Sequence, residues 1–269
     1  LLATRHLGVP VVAAFDTAFH RTLPPVARRY AIPAEPVVHR YGFHGWSCRS
    51  VMERYVELTG RAAPSLIVLH LGNGASATAI RDGRSVDTSM GLSVLEGLVM
   101  GTRPGDIDAG VLLHLLRTGH TAETLTDLLY RRSGLLALAG ESDVRPLLAR
   151  RDADAAFAIE LFCYRVRKYV GAYLAVLEGR AEAIIFTGGI GEGSSVIRGR
   201  IAAPFAWAGL TLGEGHAGVR EGRISAEGSR LEAWVILTRE EELIAREAAR
   251  LLSAGESVAR PARRRPAAG

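Results

Sequence analysis

Three segments of the sequence carry side chains that could handle a phosphoryl group. Asp16 follows an apolar run, His44 stands between glycines and aromatic residues, and Arg103 lies in a loop between Gly101 and Gly105. A carboxylate at the end of a strand is a frequent position for chemistry in α/β proteins, and small neighbours let a guanidinium reach an anion. Each residue also has an ordinary interpretation, since a lone histidine is more often structural and a loop arginine is more often solvated.

Two glycine-rich turns follow apolar runs typical of buried strands. The first turn consists of His70, Leu71, Gly72, Asn73 and Gly74. The second spans residues 188–193 and precedes a helical segment, and it does not match the dinucleotide fingerprint because Ser194 or Val196 falls at the sixth position. Glycines let backbone N–H groups approach an anion, and a helix N-terminus adds positive potential. A tight structural turn explains each segment alone, but the pair favours nucleotide phosphates held between two lobes.

Composition excludes several classes of protein. Lys168 is the only lysine among 33 basic residues and no glycine-rich loop precedes it, so a Walker-type ATPase with its P-loop lysine is excluded. Cys48 and Cys163 form no CxxC motif, which indicates a reducing compartment, the cytoplasm, and no cysteine-based zinc site. No apolar run is long enough to span a membrane. Asp106 and Asp108 could hold a metal, although a helix cap explains Asp108 equally well.

The positive charge of the chain belongs largely to its last residues. The formal charge is 33 − 28 = +5, but residues 257–269 (SVARPARRRPAAG) hold four arginines and no acid, so the rest carries 29 − 28 = +1. Such a segment has too little apolar surface to order itself. Binding to nucleic acid would depend on this tail alone, and a solvated end is the simpler interpretation, so no nucleic-acid partner is expected.

Apolar periodicity and turn residues predict an α/β protein in which strands and helices alternate. The predicted strands are residues 11–15, 65–70, 183–186 and 231–237, with a hairpin turned at Asp82-Gly83 after the second of them. The predicted helices are residues 109–118 capped by Asp108, 121–131 capped by Thr121, 152–177, 194–200, and a last helix that Thr238 opens with Glu240 and Glu241 in a capping box and that runs to about Leu252. Residues 1–7 are typical of a helix end before Gly8. The apolar face expected for residues 152–177 consists of Phe157, Leu161, Tyr164, Val166, Val170, Tyr173 and Leu177.

Seven segments in this order resemble the acetate and propionate kinase family, and the resemblance extends to about Leu252. They are FDTAFH, RYGFHG, HLGNGAS, DTSMG, LEGLVMGTRPGDID, FTGGIGEGS and TREEELIARE. The resemblance implies the α/β, ribonuclease H-like, two-lobed fold of the sugar kinase, heat-shock ATPase and actin group. It also implies reversible transfer of the ATP γ-phosphoryl group to a short carboxylate, giving ADP and an acyl phosphate such as acetyl phosphate from acetate, with Mg²⁺ as cofactor and a homodimer formed through the C-terminal lobe.

The family's functional residues map onto this sequence motif by motif. The resemblance implies catalytic roles for Asp16, His44 and Arg103 and a magnesium ligand at Glu240. It implies nucleotide contacts from His70, Leu71, Gly72, Asn73, Gly74, Asp143, Val144, Arg145, Gly189, Ile190, Gly191, Glu192 and Gly193. Because a carboxylate substrate is already ionised at neutral pH, we expect Asp16 to act on a magnesium-bound water or in alignment rather than as an essential general base.

The sequence also departs from the family pattern. Where the family usually has Thr-Ser-His after RYGFHG, this chain has Trp46-Ser47-Cys48, and Gly193 replaces a usual asparagine. Family chains begin with a strand and loop that carry an asparagine near magnesium, followed later by an arginine that holds the substrate carboxylate, and the printed sequence starts after both. We therefore expect residues 1–64 to be part of an incomplete N-terminal lobe, residues 65–252 the C-terminal nucleotide-binding lobe, and residues 253–269 a disordered basic tail.

Three functions remain open at this point. Acetate kinase is the leading interpretation, propionate kinase is the alternative within the enzyme class, and an inactive nucleotide-binding remnant is the alternative outside it. A lobe without its first strands exposes unpaired edge and apolar surface, so we expect the chain by itself to be poorly soluble or inactive unless an N-terminal piece is supplied.

Overall fold

One six-stranded sheet organises the part of the chain that the structure, a computed structural model, describes, which is residues 10–33 and 38–253. The strands are β1 (Leu66–Leu71), β2 (Ala75–Arg81), β3 (Arg84–Thr88), β4 (Ala183–Thr187), β5 (Gly222–Arg223) and β6 (Glu232–Val235). Their order across the sheet is β3-β2-β1-β4-β6-β5. β1, β2 and β3 form an antiparallel meander, whereas β1, β4 and β6 run parallel. The predicted α/β class is confirmed.

Helices cover both faces of this sheet. They are α1 (Pro25–Arg28), α2 (Gly45–Thr59), α3 (Ala109–Arg117), α4 (Ala122–Arg131), α5 (Gly134–Ala139), α6 (Val144–Ala149), α7 (Ala153–Val176), α8 (Gly188–Gly193), α9 (Ser195–Ala202) and α10 (Glu240–Ser253), with short 3₁₀ helices at Ala18–Thr22, Ala203–Ala208 and His216–Gly218. Among the described residues, no helix combines the length and the apolar composition that crossing a membrane requires.

Side-chain alternation along β1 divides the core between the two faces. Ile67 and Leu69 pack in the larger core with the buried side of α7, whereas Leu66 and Val68 pack on the opposite face with α2. All four side chains are fully buried. The same alternation directs His70 toward α2, where its imidazole meets a serine of that helix. The strand that supports the sheet therefore also aims a polar ring at the first turn of α2.

Local sequence signals of turns and caps are confirmed. Asp82 and Gly83 form the β2–β3 turn with φ of 49° and 74°, the left-handed conformation that this dipeptide tolerates. The Asp108 carboxylate accepts from the Gly110 N–H at the start of α3, and Thr121 forms a capping box with Thr124 in α4. The opening of α10 differs from the prediction, because the Thr238 hydroxyl donates to the Glu240 carboxylate (3.2 Å).

The predicted apolar face of α7 is only partly correct. Val166, Val170 and Tyr173 are buried as expected, but Phe157 is 58% exposed and Tyr164 is 51% exposed. The buried positions that replace them are small or unpredicted: Ala155, Ala158, Ile159, Phe162, Cys163 and Leu174. Part of the buried face of this helix thus consists of alanines, and a prediction based on large apolar residues does not identify alanine positions as buried.

The prediction of a buried strand at residues 11–15 is wrong. Residues 10–15 form no regular structure and Phe15 is 68% exposed. A strand needs a partner to satisfy its backbone, and the edge strand β3 is instead flanked by the 3₁₀ helix Ala18–Thr22, whose His20 ring is 2.8 Å from the Ser85 hydroxyl. The predicted helix end at residues 1–7, the Gly8 stop and residues 254–269 of the predicted tail lie outside the described residues, whereas Ser253, its first residue, belongs to α10.

The carboxyl ends of β1 and β4 bring the two glycine-rich segments together. His70 pairs with Thr187 in the parallel register, and Gly188 follows with φ of 75°. A Cβ at Gly188 would lie 2.8 Å from the Leu71 carbonyl oxygen, so the crossing of the two segments requires glycine. Residues Gly188–Gly193 form the short helix α8 rather than an open turn.

Candidate active site

A cavity of about 640 Å³ lies where the predicted nucleotide-binding segments converge. It is lined by Gly72, Asn73, Ser142, Asp143, Val144, Arg145, Leu148, Gly189, Ile190, Gly193 and Ser194. The first glycine-rich turn forms one wall, α8 another, and the start of α6 a third. Three segments thus line one cavity, and the first and last of them are more than 100 residues apart in the sequence. The volume of the cavity suits a ligand of nucleotide size.

Asp16 and His44 are held together at the start of α2. The Asp16 carboxylate accepts the His44 backbone N–H at 2.7 Å, and the Asp16 carbonyl accepts the Gly45 N–H at 2.9 Å. His44 occupies the N-cap of α2 with φ of 57°, a left-handed backbone that a non-glycine residue rarely adopts. Asp16 therefore caps the helix that His44 begins, in a turn rather than at the strand end that the sequence predicted.

The half-buried His44 ring lies between a serine and a second histidine. Its Nδ1 atom is 2.9 Å from the Ser76 hydroxyl, and the ring stacks on His70 with centroids 4.1 Å apart. Burial, with smaller contributions from the positive charge of Arg103 and from His20, lowers the pKa of His44 to about 4. Burial beside His44 lowers the pKa of His70 to about 3. Both imidazoles are therefore neutral at pH 7.

Arg103 approaches His44 across the first glycine-rich turn. A Cβ built on Gly74 would lie 3.2 Å from His44 Nε2 and 3.5 Å from Arg103 Nη2, so both nitrogens meet at this glycine. Arg103 Nη1 donates to the Val94 carbonyl at 3.0 Å, and no carboxylate pairs with the guanidinium among the described residues. Burial lowers the pKa of Arg103. The guanidinium stays charged and is available to an anion.

Glu240 begins α10 on the Asp16 side of the site. Burial raises the pKa of Glu240, the hydrogen bond from Thr238 partly offsets this shift, and the negative charge of Asp16 adds to it. Two carboxylates that repel each other in a half-buried position form an environment that a cation would stabilise.

Other predicted residues have structural contacts. The Glu192 carboxylate accepts from the Thr187 hydroxyl and from the backbone N–H groups of Gly188 and Thr238, so it joins the start of α8 to the start of α10. Asp108 caps α3, and Asp106 accepts from Tyr169 and from the Gly97 N–H. The contacts of Asp106 and Asp108 within the fold account for both acids.

Sequence reasoning missed Ser76 and Arg198. Ser76 is fully buried against His44, and its position two residues after Gly74 was the available signal. Arg198 is 1% exposed and donates to the carbonyls of Gly191 (3.0 Å) and Glu192 (2.7 Å), which close the C-terminal end of α8. No motif marks Arg198, because only the fold shows that the side chain turns inward.

Comparisons with known proteins agree with this arrangement. A sequence model described as the Acetokinase family matches residues 3–246. Acetate kinase from Chloroherpeton thalassium is 49% identical over 89% of this chain and 61% of its own length, and that from Solibacter usitatus is 50% identical over 91% and 63%. The chain thus spans somewhat over three fifths of these relatives.

Solved structures give the same assignment. Acetate kinase from Porphyromonas gingivalis superimposes with a TM-score of 0.83 at 36% identity over 88% of this chain and 63% of its own. A propionate kinase from Francisella tularensis superimposes with a TM-score of 0.83 at 40% identity over 87% and 62%. The fold class expected from the resemblance is confirmed, and by the match of the family model and the identity to these relatives the chain belongs to the Acetokinase family.

Proposed function

We propose that the protein transfers the γ-phosphoryl group of ATP reversibly to acetate, giving acetyl phosphate and ADP. The observation that carries the proposal is the meeting of His44 Nε2 and Arg103 Nη2 at Gly74, on the turn whose neighbours Gly72 and Asn73 line the 640 Å³ cavity. A nucleotide in that cavity would place its terminal phosphate at Gly74. This position is the expected site of charge movement in phosphoryl transfer.

The proposed chemistry needs little acid–base work from the protein. The substrate carboxylate is ionised at neutral pH and can attack phosphorus directly in line. Arg103 supplies a fixed positive charge, and neutral His44 supplies a hydrogen-bond donor, for the equatorial oxygens of the moving phosphoryl group. Asp16 holds the backbone of His44 and faces Glu240, which supports an alignment role more than that of an essential general base.

Magnesium fits the acidic side of the site. Among the described residues no group of three or more histidine, cysteine or acidic side chains could enclose a metal ion. Mg²⁺ usually takes only one or two carboxylates together with water and substrate phosphates, so a site built on Glu240, with Asp16 contacting a bound water, suits it. When bound, Mg²⁺ would neutralise phosphate charge.

We propose acetate rather than propionate as the substrate because of the names that the relatives carry. The curated relatives described above are called acetate kinases, whereas one solved relative is called a propionate kinase at comparable identity. One additional methylene changes binding in an apolar pocket by roughly 10- to 200-fold. A comparison of kcat/KM for the two carboxylates would therefore distinguish these substrates clearly.

The test is acetyl phosphate formation by the purified chain supplied with an N-terminal segment of the family pattern, because we expect the chain by itself to be inactive. ATP, Mg²⁺ and acetate should give acyl phosphate that is trapped as a hydroxamate, and omission of acetate should abolish it. Propionate in place of acetate tests the alternative substrate. With that segment supplied, ATP binding measured by calorimetry without turnover for either carboxylate would contradict the proposal and favour the nucleotide-binding remnant.

We further propose a cytoplasmic homodimer. Cys48 and Cys163 are both free and buried, as a reducing compartment permits. α3 buries none of its nine residues although five are leucine or valine, and Val111, Leu113 and Leu116 are 41–52% exposed. A second copy of the chain is the proposed cover for this face. Light scattering of the chain and of a Leu113→Glu variant tests this, since a monomer in both would contradict it.

A further inference from the structure

The Ser76 hydroxyl has a single hydrogen-bond partner among the described residues, the Nδ1 atom of His44. The two atoms are 2.9 Å apart, and Ser76 is fully buried in β2, opposite His70 in the β1–β2 register. Because a buried hydroxyl cannot reach water, its proton either is donated to this partner or has no hydrogen-bond acceptor at all. This constraint bears on which nitrogen of His44 carries hydrogen.

A neutral imidazole carries one proton, on either Nδ1 or Nε2. If Nδ1 carried it, Ser76 would accept, and the hydroxyl proton would have no acceptor in a buried position. If Nε2 carries it, the hydroxyl donates to the Nδ1 lone pair and both groups are satisfied. No hydrogen bond to His44 Nε2 is formed among the described residues, by Arg103 or any other donor, so a bare Nε2 gains no bond in return.

We propose that Ser76 is a positioning residue that keeps His44 in the Nε2–H tautomer, so that its donor points past Gly74 toward the transferring phosphoryl group. The catalytic part of this inference rests on the proposed function, but the tautomer itself does not. The geometry agrees, since His44 Nε2 is the ring nitrogen that lies 3.2 Å from the Cβ position of Gly74. With the other tautomer, a lone pair would face the phosphate oxygens and repel them.

A second pair in the same site is built in the same way. The Ser47 hydroxyl lies 2.7 Å from His70 Nδ1, Ser47 is fully buried, and no other side-chain partner is recorded for it among the described residues. His70 Nε2 lies 3.8 Å from the Cβ position of Gly72, on the same turn. Ser47 therefore offers a matched control, because its loss removes the same group from the neighbouring ring.

The test measures the tautomer directly in the full chain. Long-range ¹H–¹⁵N correlation spectra of protein labelled in histidine separate a protonated ring nitrogen from a bare one, and a His44→Gln spectrum assigns the His44 signals. The expected wild-type result is Nε2–H alone. Ser76→Ala should introduce Nδ1–H at His44, whereas Ser47→Ala should leave the tautomer of His44 unchanged and alter that of His70.

Kinetics give the second measurement. Ser76→Ala should lower kcat about 10-fold with little change in KM for ATP, because the donor is lost in a fraction of molecules and the nucleotide cavity is untouched. Ser76→Thr keeps the hydroxyl and should restore kcat. A wild-type Nδ1–H signal overturns the inference, and so does a Ser76→Ala protein with unchanged tautomer and unchanged kcat. Nε2–H in a chain that forms no acyl phosphate even with the N-terminal segment supplied leaves the tautomer assignment standing and contradicts the proposed function.

Discussion

At the scale of single residues, the site combines one fixed positive charge with two neutral rings. A protonated His44 would lie beside Arg103 in a buried position, and this arrangement lowers its pKa to about 4. The guanidinium of Arg103 differs from His44, because arginine stays protonated at neutral pH even when burial lowers its pKa. The side chains at Gly74 thus offer an anion a charge from Arg103 and a dipole from His44.

Replacement of Arg103 tests the importance of this charge. Arg103→Ala should lower kcat by about 10³-fold with modest change in KM for ATP, because the guanidinium acts on charge that develops at the phosphoryl group and lies outside the nucleotide cavity. Steady-state acetyl phosphate formation measures it. Arg131→Ala is the matched control, since Arg131 lies near Arg103 at the wall of a neighbouring cavity but its side chain is 81% exposed. A near-normal kcat for Arg103→Ala would remove Arg103 from the mechanism.

Gly74 is the second residue whose replacement is informative. A methyl group at Gly74 would lie between His44 and Arg103, at 3.2 Å and 3.5 Å from their nitrogens, in the space proposed for the phosphoryl group. Gly74→Ala should therefore lower kcat/KM for ATP by about 10²-fold. Gly171→Ala is the control, because nothing lies within 4 Å of a Cβ at this position in α7, which does not line the cavity. Equal activity of the two variants would place the reacting phosphate elsewhere.

At the scale of elements, the sequence predicted β1, β4, β6, the hairpin turn and two helix caps correctly, and it predicted packing less well. Asp82-Gly83, Asp108 and Thr121 act through neighbours a few residues away, so their signals are local. The exposure of Phe157 and Tyr164 depends on what packs around α7, and the absence of a strand at residues 11–15 depends on whether another strand pairs with it. Both conditions depend on residues that are distant in the sequence, so a local pattern does not predict them.

Glu192 joins two elements of the nucleotide cavity, and its replacement tests that connection. Glu192→Ala removes the acceptor of three donors, Thr187 Oγ1 and the N–H groups of Gly188 and Thr238, and should lower the free energy of unfolding by about 1–3 kcal/mol. Because α8 lines the cavity, ADP should also bind more weakly. Urea unfolding and calorimetry measure the two effects. Glu192→Gln retains an oxygen acceptor and should lose less stability and less ADP affinity than Glu192→Ala. Equal losses in the two variants would show that the negative charge of Glu192, rather than its hydrogen bonds, is what matters.

At the scale of the whole molecule, the site depends on contacts that sequence alone does not give. The resemblance to a family identified Asp16, His44, Arg103 and the lining of the cavity, but spacing could not show that Asp16 caps α2 or that Arg198 closes α8. Ser76 and Ser47 were missed although Ser76 ends the HLGNGAS segment, because spacing does not show which ring a serine hydroxyl meets. Their roles follow from burial and from the register of β1 with β2, which exist only in the assembled sheet.

Three buried or half-buried histidines should also control how the stability of the whole protein depends on pH. In the unfolded chain each has a pKa near 6.5, whereas in the fold the pKa is about 4 for His44, about 3 for His70 and lowered by burial for His20. Between these values the unfolded state binds protons that the folded state does not. Stability should therefore be highest above pH 6.5 and fall as pH falls toward 4.

From the values for His44 and His70, the free energy of unfolding should drop by about 4 kcal/mol between pH 8 and pH 5, about 2 kcal/mol from each ring. Urea unfolding followed by tryptophan fluorescence at pH 8, 6.5 and 5 measures this slope. Other groups titrate in the same range, so the comparison is with a His44→Gln/His70→Gln double variant, in which an amide that can donate and accept hydrogen bonds but does not titrate replaces each ring. Its slope should be shallower by most of that difference, because the variant has removed the groups that only the unfolded state protonates. Parallel slopes for the two proteins would mean that these rings are protonated in the fold, and the neutral donor proposed for His44 would then be wrong.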